Sequence, residues 1–410
     1  MREILKNLKK NTQKLLNLSP KQKEIIISHL SNALRASKAE ILSANEKDLA
    51  AFNKGAALRD RLMLDSKRFD ALCVSLEKIA RLDDPVGKVL AGWVNEAGLI
   101  IEKVSVPLGV VCVIYEARPA ISAELVALLL KSSNGGVLKG GSEAKNTNLA
   151  IFECIQNALE SYGLEHCFLM LSDRAALNEL LQMSEFIDLV VPRGSSAMIA
   201  DIASKSKIPL IKHDKGLCHI FVDESANLKH AVPIIINAKC QRPSACNALE
   251  TLLVHKNIAN TLFNALAPEF VKNGVRIYAD EASLNLLKGA KLEIQSASEK
   301  DYHTEWLDLV LCVKIVSSAN EAIAHINEFG SAHSDAILSN NAESIALFQR
   351  QVNSACVFVN ASTRFCDGGE FGFGAEVGIS TNKLHARGPM GVSELCTYKY
   401  LISGAGQTRA

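Results

Sequence analysis

Apolar residues recur every three to four positions along the first 83 residues, and this spacing predicts a series of amphipathic helices. Ser19 and Gln22 have the spacing of a capping box, with a proline between them at the first helical position. A second helix start is predicted at Ser37 for the same reason. Residues 65–82 form a third periodic stretch. These helices are expected to pack on a domain built later in the chain.

The period changes from residue 99 onward. Residues 99–106 alternate in polarity, as in an exposed strand or one arm of a hairpin. Residues 110–115 are an uninterrupted apolar run, which is typical of a buried parallel strand. Further strands, each followed by a helix, are predicted at 137–139, 169–171 and 188–191. Repeated strand–turn–helix units predict a doubly wound sheet of the nucleotide-binding type.

The alternation of strands and helices restarts after Cys246. Strands are predicted at 252–254, 275–278, 309–315, 335–338 and 355–360, and a closing apolar strand at 396–402. The fold class is therefore α/β, with a second α/β domain following the first. A length of 410 residues also favours two or more domains.

Composition narrows the classes of function. The formal net charge is +1 with no long basic run, so neither nucleic acid nor an anionic membrane surface is an expected partner. No secretory signal and no membrane-spanning run is present, which predicts a cytoplasmic protein. The eleven cysteines form no Cys-x-x-Cys pair and no zinc-type cluster, so reduced thiols and no metal are expected.

Cys246 is the candidate nucleophile. It follows the Pro243-Ser244 break, on a predicted short helix or turn. A thiol near a helix start would have a lowered pKa, since the free amide groups favour the thiolate. The alternative is a structural cysteine, because a single cysteine among small apolar residues is commonly just buried. Cys240, six residues earlier, is the rival thiol.

Several residues are candidates for anion binding. Lys139 ends a predicted strand and precedes two glycines and a helix start, where it would meet a ribose or phosphate. Residues 192–196 form a turn whose amide groups could hold a pyrophosphate, although the full Gly-x-Gly-x-x-Gly pattern is missing. Arg118, after the strand that ends at Tyr115, and Arg242, beside Cys246, are candidate cations near the expected switch point of the sheet. For each of these, an ordinary solvated surface residue is the alternative.

Three long motifs occur together. They are Gln-Arg-Pro-Ser-Ala-Cys-Asn-Ala at 241–248, a His-centred stretch at 316–337, and a glycine-rich segment at 369–378 continued by 383–391. In these motifs the chain resembles the gamma-glutamyl phosphate reductases, a branch of the aldehyde dehydrogenase superfamily, over nearly its whole length. Two positions depart from the family pattern: Phe329 replaces a usual His or Tyr, and Ala120 replaces a usual Asn, which would remove a polar contact to substrate.

The resemblance implies an aldehyde dehydrogenase-like fold: two doubly wound α/β domains and an oligomerisation strand arm. The implied segments are a cofactor-binding domain at 1–236 with an oligomerisation hairpin near 92–108, a catalytic domain at 237–362, a return to the cofactor domain at 363–392, and a C-terminal oligomerisation strand at 393–410. A homo-oligomer is therefore expected.

The implied activity is NADPH-dependent reduction of L-glutamyl 5-phosphate to L-glutamate 5-semialdehyde in proline biosynthesis, through a thioester on Cys246. Glutamate 5-kinase is the implied donor of the substrate. Oxyanion or substrate contacts fall to backbone amides near Cys246 and to Asn247, Arg118, Arg242 and His333. Residues implied to bind the cofactor are Lys139, Ser142, Gly194, Ser195, Glu370 and Phe371.

Two other functions stay open at this point. A hydrolytic NAD(P)-dependent aldehyde dehydrogenase needs a general base for water, which hydrolytic relatives take from a Glu-Leu-Gly-Gly-Lys loop. The corresponding loop here, 212–219, has no Glu, although His213 or Asp214 could substitute. A catalytically inactive scaffold is disfavoured because Cys246, Lys139 and Glu370 occur together.

Overall fold

Helices form most of the first 81 residues, as the hydrophobic periodicity predicts. They are α1 (Arg2–Thr12), α2 (Pro20–Ala36), α3 (Lys38–Ala51), α4 (Ala56–Leu62) and α5 (Ser66–Arg81). The capping box at Ser19 is confirmed: its hydroxyl accepts from the backbone N–H of Gln22, and the Gln22 side chain accepts from the N–H of Ser19. The computed structural model describes residues 1–53, 55–116, 118–171, 173–211 and 215–409.

Strands and helices alternate through the rest of the chain. The strands are β1 (Val89–Val94), β2 (Ile100–Pro107), β3 (Val110–Tyr115), β4 (Gly135–Lys139), β5 (Phe168–Met170), β6 (Leu189–Arg193), β7 (Cys218–Val222), β8 (Leu249–His255), β9 (Arg276–Ala279), β10 (Ile294–Ser296), β11 (Val310–Val316), β12 (Ser334–Leu338), β13 (Cys356–Val359), β14 (Gly378–Ser380), β15 (Gly388–Met390) and β16 (Cys396–Ser403). The remaining helices are α6 (Ile121–Lys131), α7 (Lys145–Glu160), α8 (Arg174–Leu180), α9 (Ser196–Lys205), α10 (Leu228–Cys240), α11 (Lys256–Asn273), α12 (Glu281–Leu287), α13 (Glu299–Tyr302), α14 (Ala319–Phe329) and α15 (Ala342–Gln351).

The chain divides into two units. The first comprises residues 1–212, 372–378 and 389–410, and the second comprises residues 213–371 and 379–388. The first boundary lies earlier than the expected 236/237, because β7 pairs with β8 and β12 in the sheet of the second unit. The sequence pattern does not predict β7, whose first two residues, Cys218 and His219, belong to the loop expected at 212–219.

The first unit contains a parallel four-stranded sheet in the order β5-β4-β3-β6. Successive strands run outward from β3 to β5, and β6 then returns to the other side of β3. The order therefore reverses between β3 and β6, which is the switch point where α/β sheets bind ligands beyond the carboxyl ends of their strands. All six residues of β3 are buried, as their apolar run predicts.

An antiparallel three-stranded sheet, β1-β2-β16, also belongs to the first unit. It confirms the predicted hairpin and closing strand. All six residues of β1 are exposed, and the rings of Trp93 and Tyr400 lie 6.1 Å apart across the sheet. We refer to this sheet as the strand arm.

The second unit is built on a parallel seven-stranded sheet in the order β10-β9-β11-β8-β7-β12-β13. Side chains alternate between its two faces: Ile220 and Val222 pack with α10 and α11, whereas Phe221 packs with α14 and α15 on the other face. Two covered faces make this unit doubly wound, as predicted.

Two further observations concern the described part of the chain. None of its helices has both the length and the apolar character needed to cross a bilayer. None of its eleven cysteines forms a disulfide.

Candidate active site

Cys246 lies in a series of turns between α10 and β8, half-buried in the second unit. The turns are closed by hydrogen bonds from the N–H of Ala245 to the carbonyl of Arg242 and from the N–H of Ala248 to the carbonyl of Ala245. Of the two forms expected for this segment, a short helix or a turn, the structure shows the turn, and the chain then leads directly into β8. A helix dipole therefore does not act on this thiol.

The backbone of Cys246 is held from two sides. Its carbonyl oxygen accepts a hydrogen bond from the thiol of Cys218 at 3.3 Å. Gly216 packs so closely that a Cβ atom there would lie 1.9 Å from the same oxygen, so only glycine fits. The backbone N–H of Gly216 donates to Oε1 of Glu305 at 2.9 Å. These contacts place Cys246 at the amino ends of β7 and β8.

Asn247 holds the loop that follows β13. Its side-chain amide donates to the carbonyls of Cys366 at 2.9 Å and Arg364 at 3.4 Å, and its own carbonyl accepts from the Thr363 hydroxyl at 2.7 Å. Both amide hydrogens are thus used within the protein. The expectation that the Asn247 side chain meets an oxyanion is not supported, and the structure instead makes it a positioning residue.

Two arginines, Arg242 and Arg364, lie near Cys246. Burial lowers the pKa of Arg364, the neighbouring charge of Arg242 lowers it further, and the Cys246 sulfur acts in the opposite direction. Nε of Arg364 donates to Oε1 of Gln241 at 2.9 Å, which orients the guanidinium. Arg242 was predicted, but Arg364 was not, since nothing in its sequence spacing links it to a residue 118 positions earlier.

His333 is buried behind this site. Its Nδ1 lies 2.8 Å from the hydroxyl of Ser334 and 3.7 Å from the sulfur of Cys218. Burial raises the pKa of Cys218 well above its usual value. Cys218, whose thiol donates to the carbonyl of Cys246, thus contacts both residues. The oxyanion or substrate contact of His333 stays a prediction.

A second buried histidine network lies nearby. Nδ1 of His219 is 2.9 Å from the carboxylate of Asp335, which also accepts from the Ser354 hydroxyl. The His219 ring meets His325 edge-on at 5.6 Å. Burial lowers the pKa of His325 to about 3, with help from the charges of His219 and Lys314. His325 is accordingly neutral in the folded protein.

The cofactor-side candidates of the first unit lie at the carboxyl edge of its sheet. Lys139 ends β4, and its ammonium donates to the carbonyl of Gly140 at 2.6 Å. Burial lowers the pKa of Lys139. Ser142, which is exposed, begins the turn that follows. Arg118 is exposed beyond β3, and its charge helps to lower the pKa of Glu124, which burial raises overall.

Gly194 and Ser195 form the turn between β6 and α9, at the switch point. The N–H of Ser195 donates to the carboxylate of Glu116 at 2.9 Å, so an acidic group already faces the first turn of α9. A Cβ atom on Gly194 would lie 2.4 Å from Met198 and 2.7 Å from Glu116. The closely packed turn and its amide donor fit an anionic ligand that displaces Glu116. Sequence reasoning missed Glu116.

Glu370 and Phe371 lie in the second unit, shortly before the chain returns to the first. Both are exposed, and the N–H of Phe371 donates to the carbonyl of Asp367 at 2.9 Å. The Phe371 ring lies 6.4 Å from that of Phe358. His213 and Asp214, the predicted substitute bases, lie outside the described residues.

Comparison with known proteins identifies relatives over the full chain. The model of the aldehyde dehydrogenase family matches residues 1–281. Gamma-glutamyl phosphate reductase from Campylobacter jejuni subsp. jejuni is 57% identical over 409 residues, covering 100% of both chains. The enzyme of the same name from Nautilia profundicola is 45% identical over 415 residues, again with 100% coverage of both.

Solved structures agree with this assignment. The crystal structure of gamma-glutamyl phosphate reductase from Thermotoga maritima superposes with a TM-score of 0.95 at 40% identity, covering 100% of this chain and 99% of that one. An acetylating aldehyde dehydrogenase from Geobacillus thermoglucosidasius has a TM-score of 0.70 at 16% identity, covering 100% and 97% of the two chains. This second likeness establishes the shared aldehyde dehydrogenase fold.

Proposed function

The chain belongs to the gamma-glutamyl phosphate reductases of the aldehyde dehydrogenase family, and we propose that it reduces L-glutamyl 5-phosphate with NADPH to L-glutamate 5-semialdehyde and phosphate. The observation that carries the proposal is the pairing of a half-buried thiol, Cys246, with two cations, Arg242 and Arg364. An acyl phosphate requires both a nucleophile for its carbon and positive charge for its leaving group.

Cys246 acts as the nucleophile in this proposal. Its thiolate attacks the acyl carbon, the bond to the phosphate oxygen breaks, and inorganic phosphate leaves while a thioester remains on Cys246. Arg242 and Arg364 bind the phosphoryl oxygens and neutralise the charge that builds up as phosphate departs. The hydrogen bond from Cys218 and the close approach of Gly216 fix the backbone of Cys246 during the attack.

Enzymes of the aldehyde dehydrogenase family use nicotinamide cofactors. A bound nicotinamide cofactor would supply the hydride that converts the Cys246 thioester to a thiohemiacetal, from which the aldehyde is released. Lys139 and Ser142 would hold its ribose, and the turn at Gly194 and Ser195 its pyrophosphate. The sheet supports this assignment, because both groups lie at the carboxyl edge where nucleotides bind in α/β folds.

We further propose that the protein is a cytoplasmic homo-oligomer assembled through the strand arm. β16 exposes Tyr398, Tyr400, Leu401 and Ile402, and β1 exposes Val89, Leu90, Trp93 and Val94. An exposed apolar sheet with open edges favours association with a second copy of the chain. Eleven cysteines with no disulfide among them fit a reducing compartment. Handover of the substrate from glutamate 5-kinase stays a prediction.

Hydrolysis of the thioester is the second candidate reaction. Among the described residues, Glu305 is the carboxylate that contacts the Gly216 loop, and it already accepts the N–H of Gly216. Glu250 is buried beside Lys239, at 3.1 Å, and burial raises its pKa to about 7. Neither carboxylate is presented as a free base for water, whereas two arginines are available for phosphate.

The deciding experiment runs the reaction in reverse. Purified enzyme receives glutamate semialdehyde and NADP with or without phosphate, and the appearance of NADPH is followed by absorbance. A general base typically contributes about 10²–10⁴-fold, so NADPH should form only with phosphate or arsenate if no such base serves water. Equally fast NADPH formation without either anion would establish hydrolysis. Glu305→Gln should leave the phosphate-dependent rate within about twofold, since its hydrogen bond to Gly216 can be retained.

A further inference from the structure

Two cysteines of the second unit lie against each other. The sulfur atoms of Cys356 and Cys366 are 3.5 Å apart. Cys356 is the first residue of β13, and Cys366 follows a single 3₁₀ turn at Thr363–Phe365. A disulfide has a sulfur separation of about 2.05 Å, so closing this gap requires a movement of about 1.5 Å.

The two thiols have unlike electrostatic surroundings. The hydrogen bond from Cys366 lowers the pKa of Cys356, and the Ser334 hydroxyl and the cation of Arg387 lower it further against the effect of burial. The interaction with Cys356 and burial both raise the pKa of Cys366. Cys356, beside the cation of Arg387, therefore has the surroundings of an attacking cysteine, and Cys366 has those of a resolving one.

The two thiols also differ in solvent exposure, in the direction that favours reaction at Cys356. Cys356 is 9% exposed, whereas Cys366 is fully buried. A small oxidant would therefore meet Cys356 first. Neither thiol takes part in the reaction proposed for Cys246.

Cys366 connects the pair to the turns that carry Cys246 and Asn247. Its carbonyl accepts the amide of Asn247 at 2.9 Å, and its N–H donates to the carbonyl of Thr363 at 3.0 Å. The Thr363 hydroxyl in turn donates to the carbonyl of Asn247 at 2.7 Å. A movement of Cys366 toward Cys356 would pull on Asn247, the residue directly after Cys246.

We propose that Cys356 and Cys366 are a modification site at which a small electrophilic oxidant, such as hydrogen peroxide, forms a reversible intramolecular disulfide that slows turnover. The Cys356 thiolate attacks one peroxide oxygen, giving a sulfenic acid and releasing hydroxide, which is protonated to water. Cys366 then loses its proton and attacks the sulfenic sulfur, and a second water leaves as the disulfide forms. Two electrons pass from the thiols to peroxide, and an added dithiol returns them.

Mass spectrometry tests the bond without relying on activity. The full chain with Cys246→Ala, which removes the other reactive thiol, is treated with hydrogen peroxide, alkylated in denaturant and digested with trypsin. Cleavage after Arg364 separates Cys356 in peptide 351–364 from Cys366 in peptide 365–383, and each peptide has no other cysteine. The expected product is these two peptides joined, and dithiothreitol should separate them.

Variants and a control thiol make the result decisive. Cys356→Ser and Cys366→Ser, each added to Cys246→Ala, should abolish the linked product. Cys154, which is half-buried, reports how far the oxidant reacts with an ordinary thiol. If peptides 351–364 and 365–383 stay separately alkylated while Cys154 becomes oxidised, no such site exists.

The effect on turnover rests on the proposed function and is measured separately. Enzyme with Cys246 intact is oxidised, peroxide is removed with catalase, and activity is compared with that of Cys356→Ser treated in the same way. The activity lost by Cys356→Ser should be at most about one third of that lost by the enzyme with both cysteines. Treatment with dithiothreitol should remove this difference. Equal losses in the presence of the linked peptides would overturn the coupling to Asn247 and leave the disulfide itself established.

Discussion

The thiol of Cys218 donates a hydrogen bond to the carbonyl oxygen of Cys246 across 3.3 Å. Hydrogen bonds in proteins contribute about 0.5–1.5 kcal/mol net, and the weak S–H donor belongs toward the lower end of this range. We therefore expect Cys218→Ala to lower kcat by about 2- to 10-fold with little change in KM, because the thiol positions the nucleophile and does not touch substrate. Cys218→Ser, which keeps a donor, should recover most of the rate. The rate of alkylation of Cys246 should fall in parallel in Cys218→Ala; an unchanged alkylation rate would contradict the positioning role.

Cys246 itself is expected to be indispensable. Cys246→Ala should abolish turnover, since no other group forms the thioester, while Cys240→Ala should keep most of the activity. Cys240 ends α10 and its pKa is raised by burial, so it is a poor nucleophile. Activity of both variants is measured with enzymatically generated glutamyl phosphate. The opposite ranking would transfer the nucleophile to Cys240.

The strands were predictable wherever apolar residues run together. β3 is such a run, and shorter apolar stretches at 137–138 and 252–254 lie within β4 and β8; all three are confirmed as buried parallel strands. β7 was missed because it begins with Cys218 and His219, whose burial depends on Asp335 across the sheet. A single polar residue in a strand gives no local sign that its partner lies 116 positions away.

The sequence motifs identify the position of the candidate site, but they do not show which residues contact one another there. Cys246 stands out through its surrounding sequence, but the turn that carries it comes from packing against Gly216 and Cys218. Arg364 and Glu116 were missed because each is one charged residue in a loop. Only the folded chain shows that they lie near Cys246 and Ser195, respectively.

Arg364 and Arg242 should both contribute to phosphate binding. A hydrogen bond to a charged group contributes roughly 1.5–3 kcal/mol, so Arg364→Ala should raise the KM for phosphate in the reverse reaction by about 10- to 150-fold. Arg364→Lys should recover part of the affinity, and Arg350→Ala, an exposed arginine of α15, should have no effect. If the KM for phosphate is unchanged in both Arg364→Ala and Arg242→Ala, the phosphate lies elsewhere.

Preference for NADPH should depend on Ser142. In the superfamily, a Glu three residues after the cofactor lysine commonly holds the ribose 2′-hydroxyl, and the corresponding residue after Lys139 is Ser142. A serine neither repels a 2′-phosphate nor lacks a donor for it. Ser142→Glu should therefore weaken NADPH binding about tenfold relative to NADH, because a carboxylate repels the phosphate.

Direct titration by quenching of protein fluorescence measures binding of both cofactors without turnover. Glu143→Gln tests the same argument in the opposite direction. This neighbouring carboxylate should act against NADPH in the native protein, so its removal should strengthen NADPH binding. Comparable affinities of the native protein for the two cofactors would contradict the preference.

Stability at acid pH should depend on His325. Its pKa is about 3 in the folded protein, because burial and the charges of His219 and Lys314 oppose protonation, and about 6.5 when unfolded. The unfolded state therefore binds a proton first, so the stabilisation by neutral His325 is complete above pH 6.5 and is lost as the pH falls toward 3. The loss approaches about 1.4 kcal/mol per pH unit for one proton.

His325→Phe, which keeps an aromatic ring beside Tyr302 and Phe329, should flatten the decline of the urea midpoint between pH 6.5 and 4.5. His230→Phe, at an exposed histidine, should retain the native decline. Because the slope with pH is compared, a general destabilisation by either substitution does not affect the conclusion, and an unaltered slope in His325→Phe would assign the acid sensitivity to another group.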